Sequence, residues 1–293
     1  MEKVVVIGGA GFVGSHTADE LSKRGYEVII IDCKASPWVT KEQKMVIGDM
    51  LDISLLQQTI KGAKYVYHFG GLADIEEAKR RPLDAVQQNV VGTMNILSVA
   101  AEENIERLIY ASTLYVYSPY GSFYRATKQS AEVLIETCYE EYALDYSILR
   151  YGSLYGPRSQ AWNGLRGYVS EIIRTGGIHY HGNGKERREY IHVQDAARLS
   201  VDILDDAHKN QVVTVTGQQI LSSKDLIEMI VEIAGARGIV SFSDETKRNE
   251  HYTITPYRYT PKRAKKIVPD EFIDIGEGIL ELVDELHNEF NHD

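Results

Sequence analysis

The sequence predicts an α/β protein built on a doubly wound parallel sheet, with a smaller C-terminal α/β unit behind it. Three observations carry this expectation. Short apolar β-forming runs alternate with amphipathic helical stretches over roughly the first half of the chain. The first of those runs passes without a spacer into a glycine cluster and then into a helix. From about Ser159 the alternation stops, and a rhythm of glycines and short strands takes over. Strands separated by helices imply right-handed crossovers and hence parallel pairing.

Val4 to Ile7 reads as a buried strand, and Gly8, Gly9, Gly11 and Gly14 follow directly. Phe12, Val13 and Leu21 then fall at helical spacing until Gly25 ends the helix. Strand, glycine turn and helix in this order are the setting of a Rossmann-type dinucleotide site. Glycine permits a tight turn and a close approach of backbone to a pyrophosphate, whose charge meets the amides that open the helix at Phe12 and Val13. The glycines fit G-x-x-G-x-x-G at Gly8, Gly11 and Gly14, and also G-x-G-x-x-G at Gly9, Gly11 and Gly14. The second strand, Tyr26 to Ile31, runs into Asp32, whose carboxylate is placed to hold ribose hydroxyls. A 2′-phosphate would sit against that charge, so NAD is expected rather than NADP, although Lys34 nearby argues the other way.

Lys44 to Ile47 is the next strand, and Asp49 beyond it has two open readings: contact with an adenine edge, or capping of a helix from Ser54 to Ile60. Tyr65 to Phe69 is a strand that ends in Gly70, Gly71 and Ala73, small residues suited to backbone that passes close to a ligand. Pro82 to Glu103 reads as one long amphipathic helix with Asn89 and Gly92 inside it. Strand Arg107 to Ala111 leads through Ser112 and Thr113 to Tyr115 and Tyr117. A short loop, Ser118 to Phe123, then opens a second long helix, Tyr124 to Tyr142, and Tyr146 to Arg150 is a sixth strand. Beyond Ser159 come a helix to Arg174, the turn Gly182-Asn-Gly184, and a strand from Arg187 followed by a helix through Ala207. A strand at Val212 to Thr216 and helices at Ser222 to Ala234 and Gly276 to Phe290 complete the chain. The expected organisation is a dinucleotide-binding unit of residues 1–158, rejoined once by 187–220, and a substrate-binding unit of 159–186 and 221–293.

Tyr124 and Lys128 are spaced Y-x-x-x-K, one helical turn apart and on one face. Removing a hydride from an alcohol carbon requires a group that takes the hydroxyl proton. A free tyrosine, with a pKa of about 10, is a poor base at neutral pH, and a lysine ammonium one turn away is expected to favour the phenolate. Thr113, at the end of the preceding strand, can hydrogen-bond the same oxygen. Downstream, Arg188 offers a guanidinium that forks onto phosphate oxygens, unless Lys185, Arg187 and Arg188 simply form a solvated basic turn.

Several ordered segments together resemble the NAD-dependent epimerase/dehydratase family of extended short-chain dehydrogenases, in the style of UDP-galactose 4-epimerase-like enzymes. They are Gly8 to His16, His68 to Leu72, Asn89-Val-Val-Gly92, Ser112-Thr113 with Val116-Tyr117, Tyr124 with Lys128, Leu149 to Tyr151, Tyr155-Gly-Pro157, and Gly182 to Gly184 with Arg188 to Val193 and Asp195. The resemblance implies that Gly8, Gly11, Phe12, Val13, Gly14, Asp32, Asp49, Met50, Asn89, Tyr124 and Lys128 touch NAD. It implies that Thr113, Tyr124 and Lys128 are catalytic, and that Thr113, Tyr115, Asn163, Leu165 and Arg188 meet a nucleotide-diphosphate sugar. It further implies a homodimer that pairs the two long helices as a four-helix interface.

Departures from the family pattern narrow the chemistry. Sugar-nucleotide 4,6-dehydratases carry an acid pair after the threonine, where this chain has Leu114 and Tyr115. Tyr115 can act only as a weaker acid, which argues against dehydration. The loop from Ser118 to Phe123 is shorter than is usual in the family, which bears on the sugar that fits. The leading expectation is a nucleotide-sugar 4-epimerase working through a transient 4-keto sugar. A nucleotide-sugar dehydrogenase, reductase or dehydratase on the same scaffold is the alternative, and a non-catalytic NAD-sensing module is the alternative of another class.

Composition bounds the rest. Of the 293 residues 43% are hydrophobic and 25% charged, the make-up of an ordinary globular protein. The net charge of -10 argues against nucleic acid and anionic membrane surfaces as partners. Two isolated cysteines, Cys33 and Cys138, suit reduced thiols in the cytoplasm better than a metal site or a disulfide framework. No apolar run reaches the roughly 18 residues of a membrane span, and the strand at residue 3 leaves no room for a leader before it.

Overall fold

The computed structural model describes residues 1–243, 251–256 and 265–292. The parts of the expected C-terminal unit at 244–250, 257–264 and 293 lie outside the described residues. The first half builds β1 (Lys3–Ile7), α1 (Phe12–Lys23), β2 (Glu27–Asp32), β3 (Gln43–Ile47), α2 (Ile53–Ile60) and β4 (Tyr65–His68). It continues with α3 (Ile75–Arg80), α4 (Pro82–Val86), a π turn (Gln87–Val91), α5 (Gly92–Glu102), β5 (Arg107–Thr113), α6 (Ser122–Tyr142) and β6 (Tyr146–Tyr151). Then come β7 (Ser153–Tyr155), α7 (Gly164–Thr175), β8 (Ile178–Tyr180), β9 (Arg187–His192), α8 (Val193–Asp202) and β10 (Gln211–Val215). The described chain closes with β11 (Ile220–Ser222), α9 (Ser223–Ile233), β12 (Val240–Phe242), β13 (Lys265–Ile267) and α10 (Ile275–His292).

The main sheet has the order β13-β10-β6-β5-β4-β1-β2-β3, and every pairing in it is parallel. Chain order reverses between β1 and β4, which opens a crevice at the carboxyl ends of the strands. The continuous valine run of β1 is buried on both faces, as a central parallel strand must be. Val5 and Ile7 pack with Leu56, Ile96 and Ile135 on one side, while Val4 and Val6 pack with Ala18, Leu21 and Leu199 on the other. A third core, under the far end of the crevice, joins α7, α9 and α10 through Val169, Ile172, Leu226, Ile230, Ile279 and Leu282.

The structure corrects three expectations. The helix expected over Pro82–Glu103 is preceded by α3 and widened at the π turn, where Asn89 points inward and is buried. The helix expected to reach Ala207 ends at Asp202, and a 3-10 turn follows at Asp206–His208. The chain also returns to the large sheet twice, because β13 adds itself to the edge beyond β10.

Candidate active site

The crevice is a cavity of about 1010 Å³ whose walls include Gly8, Asp32, Thr113, Tyr124, Asn163 and Arg188. At one end the backbone does the shaping. Gly8 sits at φ +79°, and a Cβ there would lie 2.4 Å from the Gly70 amide nitrogen. A Cβ on Gly14 would lie 2.3 Å from the Gly8 carbonyl oxygen, so the first turn of α1 packs directly on the glycine turn. The Gly11 amide donates to the Gly8 carbonyl at 3.1 Å, and Phe12 and Val13 open the helix at the cavity wall. Asp32 ends β2 and accepts hydrogen bonds from the amides of Ala10 (3.0 Å) and Lys34 (3.3 Å), which fixes its carboxylate with lone pairs still turned to the cavity. A backbone cradle that any side chain would fill, followed by an anchored carboxylate, fits the pyrophosphate and ribose of NAD.

Asp49 and Met50 also line this end. The helix-capping reading of Asp49 does not hold. Asp52 caps α2 through the Leu55 amide (3.1 Å), while Asp49 accepts from the Leu51 amide (3.0 Å) and shapes the turn. Met50 packs closely on Gly92, where a Cβ would lie 3.0 Å from the methionine Cε. Asn89, expected to touch the cofactor, stands behind the wall. Its amide accepts from Leu72 N (2.7 Å) and donates to Leu72 O (3.0 Å) and the Thr127 hydroxyl (2.9 Å). It therefore holds the Gly70–Leu72 loop against α6. His68 beneath it is buried and bonded to Thr93 (2.8 Å), and burial pushes its pKa down to about 3, so it is neutral.

In the middle of the cavity, β5 delivers Thr113 and α6 delivers Tyr124 and Lys128. The Tyr124 hydroxyl is pushed up to about 12, by burial first, with a hydrogen bond from Thr113 working the other way. Lys128 Nζ donates to the Ala111 carbonyl (2.9 Å) and lies 4.7 Å from the centre of the Tyr110 ring, against 6.0 Å for the Tyr124 ring. Burial brings the ammonium down to about 8, opposed by Glu132. Glu132 is one turn further along α6, and sequence reasoning missed it. It takes Arg150 Nε (2.9 Å) and Nη2 (2.5 Å) as a bidentate pair and accepts the Ser112 hydroxyl (2.5 Å), so a buried ion pair braces β5, β6 and α6 directly behind the site. Its spacing of four from Lys128 was the available signal.

The far wall is made of long side chains. Arg188 on β9 is half-buried, while Lys185 and Arg187 are exposed, so the solvated-turn reading fails for Arg188. Its guanidinium lies 5.3 Å from the Tyr252 ring centre, Nη2 donates to the Tyr252 carbonyl (3.4 Å), and its buried Nε has no partner among the described residues. A cation whose buried Nε finds no carboxylate among the described residues suits an anionic ligand. Tyr115 faces the cavity with its hydroxyl bonded to His251 Nδ1. Leu165 lines the floor and belongs to the third core. The Asn163 side chain is largely occupied: it caps α7 through the Arg166 amide (3.2 Å) and donates to the Leu154 carbonyl (2.9 Å). Tyr252 and His251 were missed, because they come from a short segment with no motif of its own.

A parallel sheet with this glycine turn, and a tyrosine and a lysine one turn apart at its carboxyl edge, defines a dinucleotide-dependent enzyme fold of the short-chain dehydrogenase type. The chain belongs to the NAD dependent epimerase/dehydratase family, whose sequence profile matches residues 4–216. It is 26% identical to a putative UDP-glucose 4-epimerase of Methanocaldococcus jannaschii, over 97% of this chain and 98% of that protein. It is also 26% identical to a UDP-N-acetyl-alpha-D-glucosaminuronate decarboxylase of Bacillus cytotoxicus, over 79% of this chain and 80% of that one. Among solved structures, the UDP-glucose 4-epimerase of Thermotoga maritima with UDP-glucose superposes with a TM-score of 0.85 at 22% identity, covering 98% of this chain and 99% of the other. At that identity the likeness establishes the fold.

Proposed function

We propose that this protein interconverts nucleotide-diphosphate sugars that differ at C4, through a transient 4-keto sugar, with NAD retained in the crevice. One observation carries the reading. Arg188, whose buried Nε has no partner among the described residues, stands where the large cavity meets a second pocket of about 250 Å³. A diphosphate at Arg188 directs the sugar towards Tyr124 and the nucleoside towards the smaller pocket. Residues 1–158, rejoined by 187–220, then form the cofactor-binding unit, which also presents Arg188 to the diphosphate, and 159–186 and 221–293 complete the substrate side.

Bound NAD supplies the reversible hydride acceptor. In its phenolate form Tyr124 takes the proton of the sugar 4-hydroxyl and returns it when the ketone is reduced on its other face. Thr113 holds the same oxygen, and Lys128, pinned by the Ala111 carbonyl, places its positive charge beside the tyrosine. The absence of a carboxylic acid at Leu114 and Tyr115 supports epimerisation over elimination of water. The relatives named for UDP-sugar 4-epimerisation agree with this.

Further parts of the reading rest on coarser support. Leu83, Val86, Val91, Val133 and Tyr142 leave apolar area exposed on α4, the π turn and α6, which supports a homodimer across these helices. Cys33 and Cys138 are free thiols, which supports a cytoplasmic location; no described helix is long and apolar enough to cross a membrane. Proton NMR of UDP- and GDP-sugars incubated with the protein, without added cofactor, tests the activity. A pair of C4 epimers with no net reduced nicotinamide is expected. A keto sugar that accumulates with reduced nicotinamide would make the protein a dehydrogenase.

A further inference from the structure

We infer that Glu132 is a positioning residue for the proton-transfer set: through Ser112 and Arg150 it holds the Thr113 hydroxyl and the Ala111 carbonyl in register with Tyr124 and Lys128. The inference rests on the reading of Thr113, Tyr124 and Lys128 as the groups that act on the sugar. Tyr124, Lys128 and Glu132 follow one another at four-residue intervals along α6, so they share one face of the helix. The end of β5 lies across that face, and each of its last residues is tied to one of these three. Lys128 Nζ donates to the Ala111 carbonyl (2.9 Å), the Ser112 hydroxyl donates to Glu132 Oε1 (2.5 Å), and the Thr113 side chain hydrogen-bonds the Tyr124 hydroxyl.

The middle tie is the one with a rigid anchor. Glu132 and Arg150 are only 3% and 1% exposed. Arg150 stands on β6 opposite Ser112 in the sheet register, and it reaches the carboxylate with Nε (2.9 Å) and Nη2 (2.5 Å). Its Nη1 donates to the Tyr117 hydroxyl (2.5 Å), with the guanidinium 4.5 Å from the centre of that ring. Tyr117 ends the 3-10 turn Leu114–Tyr117 that directly follows Thr113, and Gln129 Nε2 from α6 holds the Val116 carbonyl of the same turn (2.9 Å). Thr113 is therefore gripped on both sides, by Ser112 before it and Tyr117 after it, and both grips run to one buried ion pair.

Such a pair is a poor device for stability alone, because well-packed apolar side chains in the same space often do as well. What apolar side chains lack is direction. The benefit of directed bonds here is kinetic, since a reacting group displaced by about 1 Å can lose on the order of 100-fold in rate. The same carboxylate also bears on the lysine. The titratable groups that face the Lys128 ammonium are Tyr110 on β5, Tyr124 and Glu132 on α6, and the neutral His68 on β4. Of these, Glu132 is the anion, and it favours the charged lysine.

Two variants separate positioning from bulk stability. Ser112→Ala removes the middle tie and leaves the ion pair intact. Glu132→Met combined with Arg150→Met replaces the pair by apolar side chains, so that no charge is left buried alone. Each is compared with the wild type for C4 epimerisation of UDP-glucose, NAD content and thermal melting. In protein without substrate, the titration of Lys128 is followed by carbon-13 NMR of its Cε. We expect kcat to fall about 10-fold in Ser112→Ala and about 100-fold in the double variant, with KM within about twofold. NAD content and melting temperature should stay close to those of the wild type. The acid limb of the kcat profile should move to higher pH, because a weaker Thr113 bond favours the Tyr124 phenolate less. The Lys128 midpoint, about 8 in the wild type, should fall to about 7 in the double variant and move less, in the same direction, in Ser112→Ala. An unmoved Lys128 midpoint, or a kcat that falls only in step with the melting temperature, would overturn the inference. A wild type that epimerises none of the UDP- and GDP-sugars would instead overturn the reading on which it stands, and the Lys128 midpoint would still decide the inference.

Discussion

The two ends of the crevice are built by different means. At the cofactor end the ligand surface is backbone: Gly8 and Gly14 lie against other main-chain atoms at 2.4 and 2.3 Å from any added Cβ, and Asp32 is tied to two amides. Nothing there can shift without moving β1 or α1. At the substrate end the surface is side chain, with Arg188, Tyr252, Tyr115 and His251 drawn from three separated segments and held by ring contacts and single hydrogen bonds. The first construction fixes one ligand through rigid geometry. The second can be retuned by exchanging a residue.

The contrast can be broken most completely at the rigid end. Gly14→Ala places a methyl against the Gly8 carbonyl, which has no flexible side chain to give way. The purified variant is expected to carry no NAD and to show no turnover, read as nicotinamide released on denaturation. A variant that keeps its NAD would refute the backbone cradle. Tyr124→Phe comes next: turnover should fall by about 10³-fold with NAD content unchanged, because only the proton acceptor is removed. At the adaptable end the effect is smaller and of another kind. Arg188→Ala should raise KM for the nucleotide sugar by roughly 10- to 100-fold, leaving kcat within a few-fold and NAD content intact. An unchanged KM would remove Arg188 from the phosphate site.

The smallest effect is in stability and sharpens the picture of the buried groups behind the site. Burial holds His16 and His192 at about 4 and His68 at about 3. Below pH of about 6.5 the unfolded chain binds protons that the folded one refuses, so stability falls as pH drops from there towards 4. Lys128, brought down to about 8, has the same consequence in a higher window: the unfolded chain holds the extra proton between about 8 and 10.5, so stability rises with pH there too. Thermal melts from pH 4 to 10 should show both slopes, and Lys128→Met should flatten the alkaline one. An alkaline slope that persists in Lys128→Met would mean that the ammonium is not depressed.

How much could be read from the chain follows the same division. The glycine turn, Asp32, and the Tyr124–Lys128 pair were legible because each is set by local spacing within one strand–turn–helix unit, and the main sheet followed from the same alternation. A helical residue gives no sign of a π turn, and only the structure shows the Asn89 amide turned onto Leu72. Asn163 lines the cavity as expected of a ligand contact, while its helix-capping bond could be seen only in the structure. Spacing placed Lys128 and Tyr124 on one face, and only the structure shows that the ammonium also meets the Ala111 carbonyl. Glu132, His251 and Tyr252 act through partners 18 to 136 residues away, as in the contacts with Arg150 and Tyr115, and no local pattern announces such pairs.

The central claim is that hydride leaves C4 and returns to C4 inside one closed site. UDP-glucose deuterated at C4, incubated with the protein and followed by NMR, tests it directly. The account predicts that deuterium stays at C4 in both epimers through many turnovers, with no reduced nicotinamide accumulating. Loss of the label to solvent, or its build-up in reduced nicotinamide beside a keto sugar, would contradict it.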